Sequence, residues 1–265
     1  MPGPTRTDLP PAKRFALAVI CAATLMIIVD ETVVSVALAS IQRDLGFSTA
    51  DLFWVVDAYL ISFGGLLLLA GRLGDLVGRP RVLLCGMSLF VAASAACGTA
   101  ESPAALVAAR FAQGIGGAMA AGVALGMVVA LFEDSRARAR AIGIYSFVGA
   151  SGASIGVFCG GVITDAAGWR WAFLINVPIG ILTVLSGRRV LPTEHGEGLH
   201  RGADVLGAVL LVGGIMSAIL AIVDAGARLA AVLAAASLAG FVARQATARR
   251  PLLPLAVLRS APHRA

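Results

Sequence analysis

Long apolar runs alternate with short polar connections along almost the whole chain. Each run holds about twenty residues, the number that a helix rising about 1.5 Å per residue needs to cross roughly 30 Å of hydrocarbon. The pattern therefore predicts an all-α membrane protein with spans at 15–39, 52–71, 82–100, 104–130, 141–164, 171–190, 203–223 and 228–243.

The charged residues indicate an orientation. Of the 265 residues, 58% are hydrophobic and 14% are charged, and the net charge is +6. Nearly all Lys and Arg residues fall in one set of alternate connections, and the opposite set holds only Arg43, Arg170 and Arg228. The positive-inside rule places the basic set, and with it both termini, in the cytoplasm. We expect a multi-pass protein of the inner or plasma membrane whose basic loops face anionic lipid, with no nucleic-acid partner.

Four ionisable residues lie inside the predicted spans: Asp30, Glu31, Asp57 and Arg110. Each costs about 2.5–3.5 kcal/mol at mid-bilayer, so such residues face a protein interior or an aqueous cavity. Asp30 lies roughly 13 Å before the outer end of the first span, and Arg110 lies roughly 9 Å below the outer start of the fourth. We expect the two side chains to meet, because each offsets the desolvation of the other.

Two roles stay open for this ion pair. It is either a structural contact that fixes helix packing or a site of proton exchange, where a carboxyl changes its proton affinity when the nearby cation moves away. Asp57 is shallow enough to be a solvated carboxylate at the outer interface. Thr24, Glu31 and Ser35 share one face of the first helix and predict the polar wall of a cavity.

Small residues recur at four-residue spacing in the fourth and fifth spans. Such a strip lets two helix backbones approach closely, either for permanent packing or for gating. The candidate helix-packing positions are Gly114, Gly122, Gly152, Gly156, Gly160 and Gly161.

Four motifs resemble one transporter family. "GRLGDLVGRPR" at 71–81 resembles the loop between helices 2 and 3 of the major facilitator superfamily. "VDETVVSVALASIQRDL" at 29–45, "ARFAQGIGGA" at 109–118 and "GWRWAFLINVPIG" at 168–180 are similar to motifs in helices 1, 4 and 6 of its drug:proton antiporter branch, which has fourteen spans. The resemblance covers the first six predicted spans.

The resemblance implies roles for individual residues. Asp30, Glu31 and Arg110 become proton-coupling candidates, and the motif residues of the 71–81 loop become a cytoplasmic gate in which Asp75 caps or precedes the third helix. The substrate-cavity candidates are Thr24, Ser35, Gln113 and Asn176, and the gate candidates are Gly71, Asp75, Gly78, Arg79 and Arg81.

The sequence also departs from the family pattern. Ser35 and Ala39 stand where Asn and Pro are expected, and Val157 replaces the proline of the antiport motif in the fifth helix.

The resemblance implies a cytoplasmic tail at 1–14, a six-helix N-terminal bundle at 15–190, a cytoplasmic loop at 191–202, two linking helices at 203–243 and a basic cytoplasmic segment at 244–265. A second six-helix half is then absent, so we expect either a fragment or a separate chain that supplies the rest.

The expected function is efflux of drugs or other small, amphipathic molecules by alternating access, coupled to a proton gradient and requiring no bound cofactor. Two alternatives remain: a facilitator for a single metabolite without proton exchange, and a non-transporting half that serves as a scaffold. An enzyme is not expected, because His195, His200 and His263 lie in loops or the tail and no residues show metal-ligand spacing. The same observation predicts no metal site.

Overall fold

The computed structural model describes residues 10–194, 196, 198, 205–223 and 228–247. Within this part of the chain all regular structure is helical. The helices are α1 Pro11–Leu45, α2 Trp54–Val77, α3 Arg79–Gly98, α4 Pro103–Leu131, α5 Ser135–Ala167, α6 Trp169–Leu174, α7 Asn176–Val190, α8 Val205–Val223 and α9 Arg228–Thr247.

Within the described residues, six helical units are long and apolar enough to cross a membrane: α1 to α5, and α6 with α7 as one unit. They match the first six predicted spans, with ends that extend a few residues further in most cases. The described part of α8 contains a shorter apolar stretch, Val209–Ile222, and α9 does not reach the same length and hydropathy. That the last two helices cross the membrane therefore stays a prediction.

Helix ends follow local chemistry. α4 and α5 begin at Ser102 and Asp134, whose side chains accept hydrogen bonds from the backbone N–H of Ala105 and Ala137. α1 ends at Gly46, which adopts the left-handed conformation with φ 70° and donates its N–H to the Gln42 carbonyl.

The junction between α2 and α3 is a single residue, Gly78. A ten-residue loop at 72–81 was the expectation, and it is wrong, because α2 continues through Val77 and α3 begins at Arg79. Gly78 reverses the chain with φ 101°, a conformation that L side chains rarely adopt. As a consequence, Asp75 lies in the last turn of α2 and does not precede the N-terminus of α3.

The sixth predicted span is interrupted at Ile175, between α6 and α7. Pro178 has no N–H to donate to the carbonyl four residues before it, at Leu174, where α6 ends. The break makes Asn176 the first residue of α7.

Helix α4 packs against α2 and α3 through its small residues. A Cβ added to Gly114 would clash with Ser62 Oγ and the Tyr59 carbonyl of α2, and one on Gly122 would lie 2.8 Å from the Leu67 carbonyl oxygen. Side chains cannot fit at these positions, so the close approach of α4 to α2 depends on glycine.

Helix α5 uses a second glycine strip to contact α1. Cβ atoms on Gly152, Gly156 or Gly160 would lie within 3.1 Å of α1 atoms, whereas nothing lies within 4 Å of a Cβ on Gly161. Gly161 therefore takes no part in the contact between α1 and α5, and its predicted packing role stays a prediction. The rest of α5 is largely exposed, including Phe158 at 73%.

Helices α8 and α9 form a hairpin beside α2. A Cβ on Gly214 would lie 2.8 Å from Leu238 in α9, and a Cβ on Gly65 of α2 would contact Met216 at 3.5 Å. Several predicted segments fall outside the described residues: most of the tail at 1–14, the end of the loop at 191–202 and the basic segment at 244–265 beyond residue 247.

Candidate functional site

A buried ion pair joins α1 to α4. Arg110 Nη1 donates to Asp30 Oδ2 at 2.7 Å, and each residue is no more than 1% exposed. Their depths in the predicted spans indicated that the two side chains would meet, and they do. An unpaired charge in this apolar interior would carry a large desolvation penalty, so each residue stabilises the charge of the other.

The second oxygen of Asp30 is held from two further positions. Its Oδ1 accepts from Gln113 Nε2 at 2.8 Å and from Asn176 Nδ2 at 2.7 Å. Gln113 follows Arg110 by one helical turn of α4, and Asn176 begins α7 because the helix breaks before it. Three helices therefore converge on one carboxylate.

Gln113 extends this network to α3. Its Nε2 also donates to Ser94 Oγ at 2.8 Å, and its Oε1 accepts from Arg110 Nη1 at 2.7 Å. The Cys97 thiol lies 3.6 Å from the same Oε1. Sequence reasoning missed Ser94 and Cys97. The sequence held one signal for them: a spacing of three residues places both on the same face of an apolar span.

Aromatic rings enclose the guanidinium of Arg110. Its Cζ lies 4.3 Å from the ring centroid of Tyr59 and 5.8 Å from that of Phe173, and its Nε donates to the Val55 carbonyl at 3.0 Å. The rings stabilise the cation through their negative faces. Sequence reasoning also missed these contacts, because no local pattern links α2 and α6 to a residue of α4.

The geometry has a direct chemical consequence. Every hydrogen-bond partner of the Asp30 carboxylate is a donor. A proton on either oxygen would remove the negative charge that all three donors face and would weaken their hydrogen bonds.

The other predicted polar positions lie apart from this network. Glu31 is half-buried, and its carboxylate makes no hydrogen bond or ion pair within the described chain. Ser35 is exposed and donates to the Glu31 carbonyl, while Thr24 is buried and donates to the Ile20 carbonyl, so both hydroxyls bond to their own helix. Asp57 is half-buried near the start of α2.

Gln113 and Asn176 are also buried, at 0% and 2% exposure. The structure places both as partners of Asp30 and not on an open surface. Their role as substrate contacts stays a prediction.

The predicted gate residues surround the α2–α3 junction. Arg79 Nη2 donates to Asp75 Oδ1 at 3.0 Å, and Arg72 lies 3.7 Å from the other oxygen of Asp75. Arg79 Nη1 also lies 3.8 Å from Glu194, a residue in the segment that follows α7. Arg81 donates to the Val77 carbonyl at 3.4 Å.

Two glycines bring the backbones of this region together. A Cβ on Gly71 would lie 3.3 Å from the Gly122 carbonyl oxygen of α4, and one on Gly78 would clash with the Glu194 carbonyl. The junction is therefore packed against both α4 and the segment after α7.

Apolar helices of membrane-spanning length around a buried charge network define a multi-pass membrane protein. A family model described as Major Facilitator Superfamily matches residues 20–262, and the chain belongs to this superfamily of transporters.

The curated relatives include antibiotic resistance and export proteins. The chain is 40% identical over 215 residues to the puromycin resistance protein of Streptomyces alboniger, a match that covers 81% of this chain and 42% of the relative. It is 41% identical over 212 residues to the cephamycin export protein of Amycolatopsis lactamdurans, covering 79% and 43%. The chain spans less than half the length of these two relatives.

Solved structures support the same fold. The proton:xylose symporter XylE aligns with a TM-score of 0.60 at 16% identity, covering 93% of this chain and 56% of that one. A bacterial homologue of the human lysosomal transporter Spinster, in an inward-facing conformation, aligns with a TM-score of 0.60 at 18% identity, covering 95% and 68%.

Proposed function

We propose that this chain forms the N-terminal six-helix half, with two linking helices, of a proton-coupled exporter of antibiotics or other amphipathic small molecules. The observation that carries the proposal is the buried Asp30 network. It joins α1, α4 and α7 through one carboxylate and reaches α3 through Gln113, in a chain whose curated relatives include proteins named for resistance and export. A fourteen-span organisation with both termini in the cytoplasm belongs to the same proposal.

Asp30 is the proton-accepting group in this proposal. With Asp30 ionised, Arg110, Gln113 and Asn176 all donate to it and hold α1, α4 and α7 together. A proton that enters weakens this contact, so the helices take up a second arrangement. The proton gradient supplies the energy, and no bound cofactor is required.

Arg110 keeps favourable contacts when Asp30 is protonated. Its guanidinium still faces the Tyr59 ring and still bonds to the Val55 carbonyl and to Gln113. The cation therefore has an alternative set of partners. This lowers the cost of breaking the ion pair, which would otherwise leave an uncompensated charge in the membrane.

Substrate moves between this half and a second half in the proposed mechanism, as in transporters whose halves rock around a site near mid-membrane. Glu31 and Ser35 are polar residues of α1 that are available to substrate, since neither belongs to the buried network. The cluster of Asp75, Arg79 and Arg81 acts as the cytoplasmic gate. The exposed apolar surface of α5 is available to the second half or to lipid.

Inside-out vesicles test this proposal. The chain is co-expressed with the C-terminal half of the cephamycin export protein, and uptake of a fluorescent cationic dye is followed after a proton gradient is imposed. The full-length cephamycin export protein is the positive control, and each half alone gives the background. We expect uptake only when both halves are present. Two halves that co-purify without taking up substrate would contradict the transport proposal and favour a scaffold.

A facilitator without proton exchange is the second candidate, and α5 provides the observation that favours it. Val157 stands where the antiport motif has proline, and α5 runs unbroken from Ser135 to Ala167. Helix α5 therefore lacks the kink that a proline introduces. Transport that is unchanged after the proton gradient is collapsed would favour this candidate, and gradient-dependent transport would exclude it.

A further inference from the structure

A cavity lies at the end of the bundle that carries the α2–α3 junction. Its volume is about 370 Å³, and α1, α3, α4 and the segment after α7 form its walls. Small-molecule pockets occupy roughly 300–1,000 Å³ and combine apolar walls with a few polar groups. The apolar walls here include Ile20, Met127, Leu131 and Leu191.

The cavity is separate from the Asp30 network. Its deepest contact on α1 is Ile20, which precedes Asp30 by about ten residues, or roughly 15 Å along the helix axis. No residue of the ion-pair network lines the cavity. A ligand bound here would not touch Asp30.

The two charged residues that line the cavity differ in their partners. Glu194 lies 3.8 Å from Arg79, so a cation already accompanies its carboxylate. Lys13 is half-buried, its Nζ lies 5.9 Å from the Phe132 ring centroid, and it forms no ion pair within the described chain. The cavity therefore offers an unpaired ammonium beside an apolar wall.

We propose that this cavity binds a single-chain amphipathic carboxylate such as a fatty acid, with the carboxylate at Lys13 and the alkyl chain against Ile20, Met127 and Leu191. The anion supplies the counter-charge that Lys13 lacks. The volume lies near the lower end of the range for ligand pockets, which favours one short chain over a two-chain phospholipid. The inference concerns binding alone and does not depend on the transport proposal.

The segment after α7 forms one wall of this cavity and packs against the end of α2. Gly198 N–H donates to the Leu76 carbonyl at 3.0 Å, and a Cβ on Gly196 would clash with the same carbonyl. An alkyl chain in the cavity would in turn pack against Leu191 and Pro192 of this segment.

Photolabelling tests the proposal directly. The full chain is placed in phosphatidylcholine nanodiscs, labelled with a diazirine analogue of myristate, and digested for mass spectrometry. We expect label on residues 127–131 or 191–194. Laurate should compete at least about fivefold better than dodecylammonium, because only the anion pairs with Lys13.

Two variants give a matched comparison. Lys13→Gln should weaken laurate competition about fivefold, whereas Arg14→Gln, which changes an exposed neighbour outside the cavity, should leave it unchanged. Label confined to lipid-facing residues, equal competition by the two amphiphiles, or equal effects of the two variants would each overturn the proposal. The comparison of laurate with dodecylammonium uses the wild-type chain, so it tests the proposal even when a variant fails to fold.

Discussion

Replacement of Arg110 by Met is the sharpest test of how the buried network stabilises the fold. Met fills much of the same space but removes the cation and the hydrogen bonds to Asp30, Gln113 and Val55. Hydrogen bonds in membrane proteins contribute about 1 kcal/mol each, which gives about 3 kcal/mol for the three. The Asp30 carboxylate is also left without its cation, so we expect the free energy of unfolding to fall by about 3–5 kcal/mol.

Equilibrium unfolding in mixed micelles measures this loss. The buried thiols of Cys21 and Cys97 serve as reporters, because they react with a thiol-specific dye only after unfolding. Cys85, which is exposed, and Cys159, which is half-buried, are first replaced by Ala. The reporters follow α1 and α3, the helices that carry Asp30 and Ser94.

Two further variants control this experiment. Arg43→Met removes an exposed arginine that, within the described part of the chain, bonds only to the Ala39 carbonyl of its own helix. It should therefore change the free energy of unfolding by less than about 0.5 kcal/mol. Asp30→Leu combined with Arg110→Met removes both charges and should be less destabilising than Arg110→Met alone. A loss below about 1 kcal/mol for Arg110→Met would refute the reasoning, given the expected 3–5 kcal/mol.

Glycine substitutions test the helix contacts and the chain reversal, with thermal unfolding as the measurement. Gly156→Ala should destabilise the α1–α5 contact by about 1–3 kcal/mol, because its Cβ would clash with Thr32 Oγ1, whereas Gly161→Ala has open space and should be neutral or slightly stabilising. Equal effects of the two would contradict the packing. Gly78→Ala should cost about 1–2 kcal/mol from its positive φ alone, and more because its Cβ would meet the Glu194 carbonyl. An unchanged transition would show that the junction has another conformation.

Much of the helical organisation could be predicted from the sequence, because membrane spans follow from the length and polarity of apolar runs alone. The meeting of Asp30 and Arg110 was also predictable. A charge inside a span needs a partner, and position along a helix of known rise fixes its depth. The positions at which the helices end were harder to predict. Polar residues such as Arg72 and Asp75 continue α2 beyond the apolar run, so polarity alone placed a loop where there is a helix.

The remaining contacts of the site depend on tertiary packing. Tyr59 and Phe173 contact Arg110 from α2 and α6, and only the packing of the bundle brings these distant positions together. Asn176 was found through a motif, but its bond to Asp30 depends on the helix break before it. Gly161, which lies outside the four-residue spacing of the strip, takes no part in the contact between α1 and α5.

The central claim, that Asp30 couples proton movement to transport, is tested most directly by Asp30→Asn in the two-half protein. Gradient-driven dye accumulation and substrate exchange without a gradient are measured in the same vesicles, with Asp57→Asn as the control carboxylate outside the network. The account predicts that Asp30→Asn loses accumulation but retains exchange, while Asp57→Asn retains both. Full gradient-driven accumulation by Asp30→Asn would contradict it.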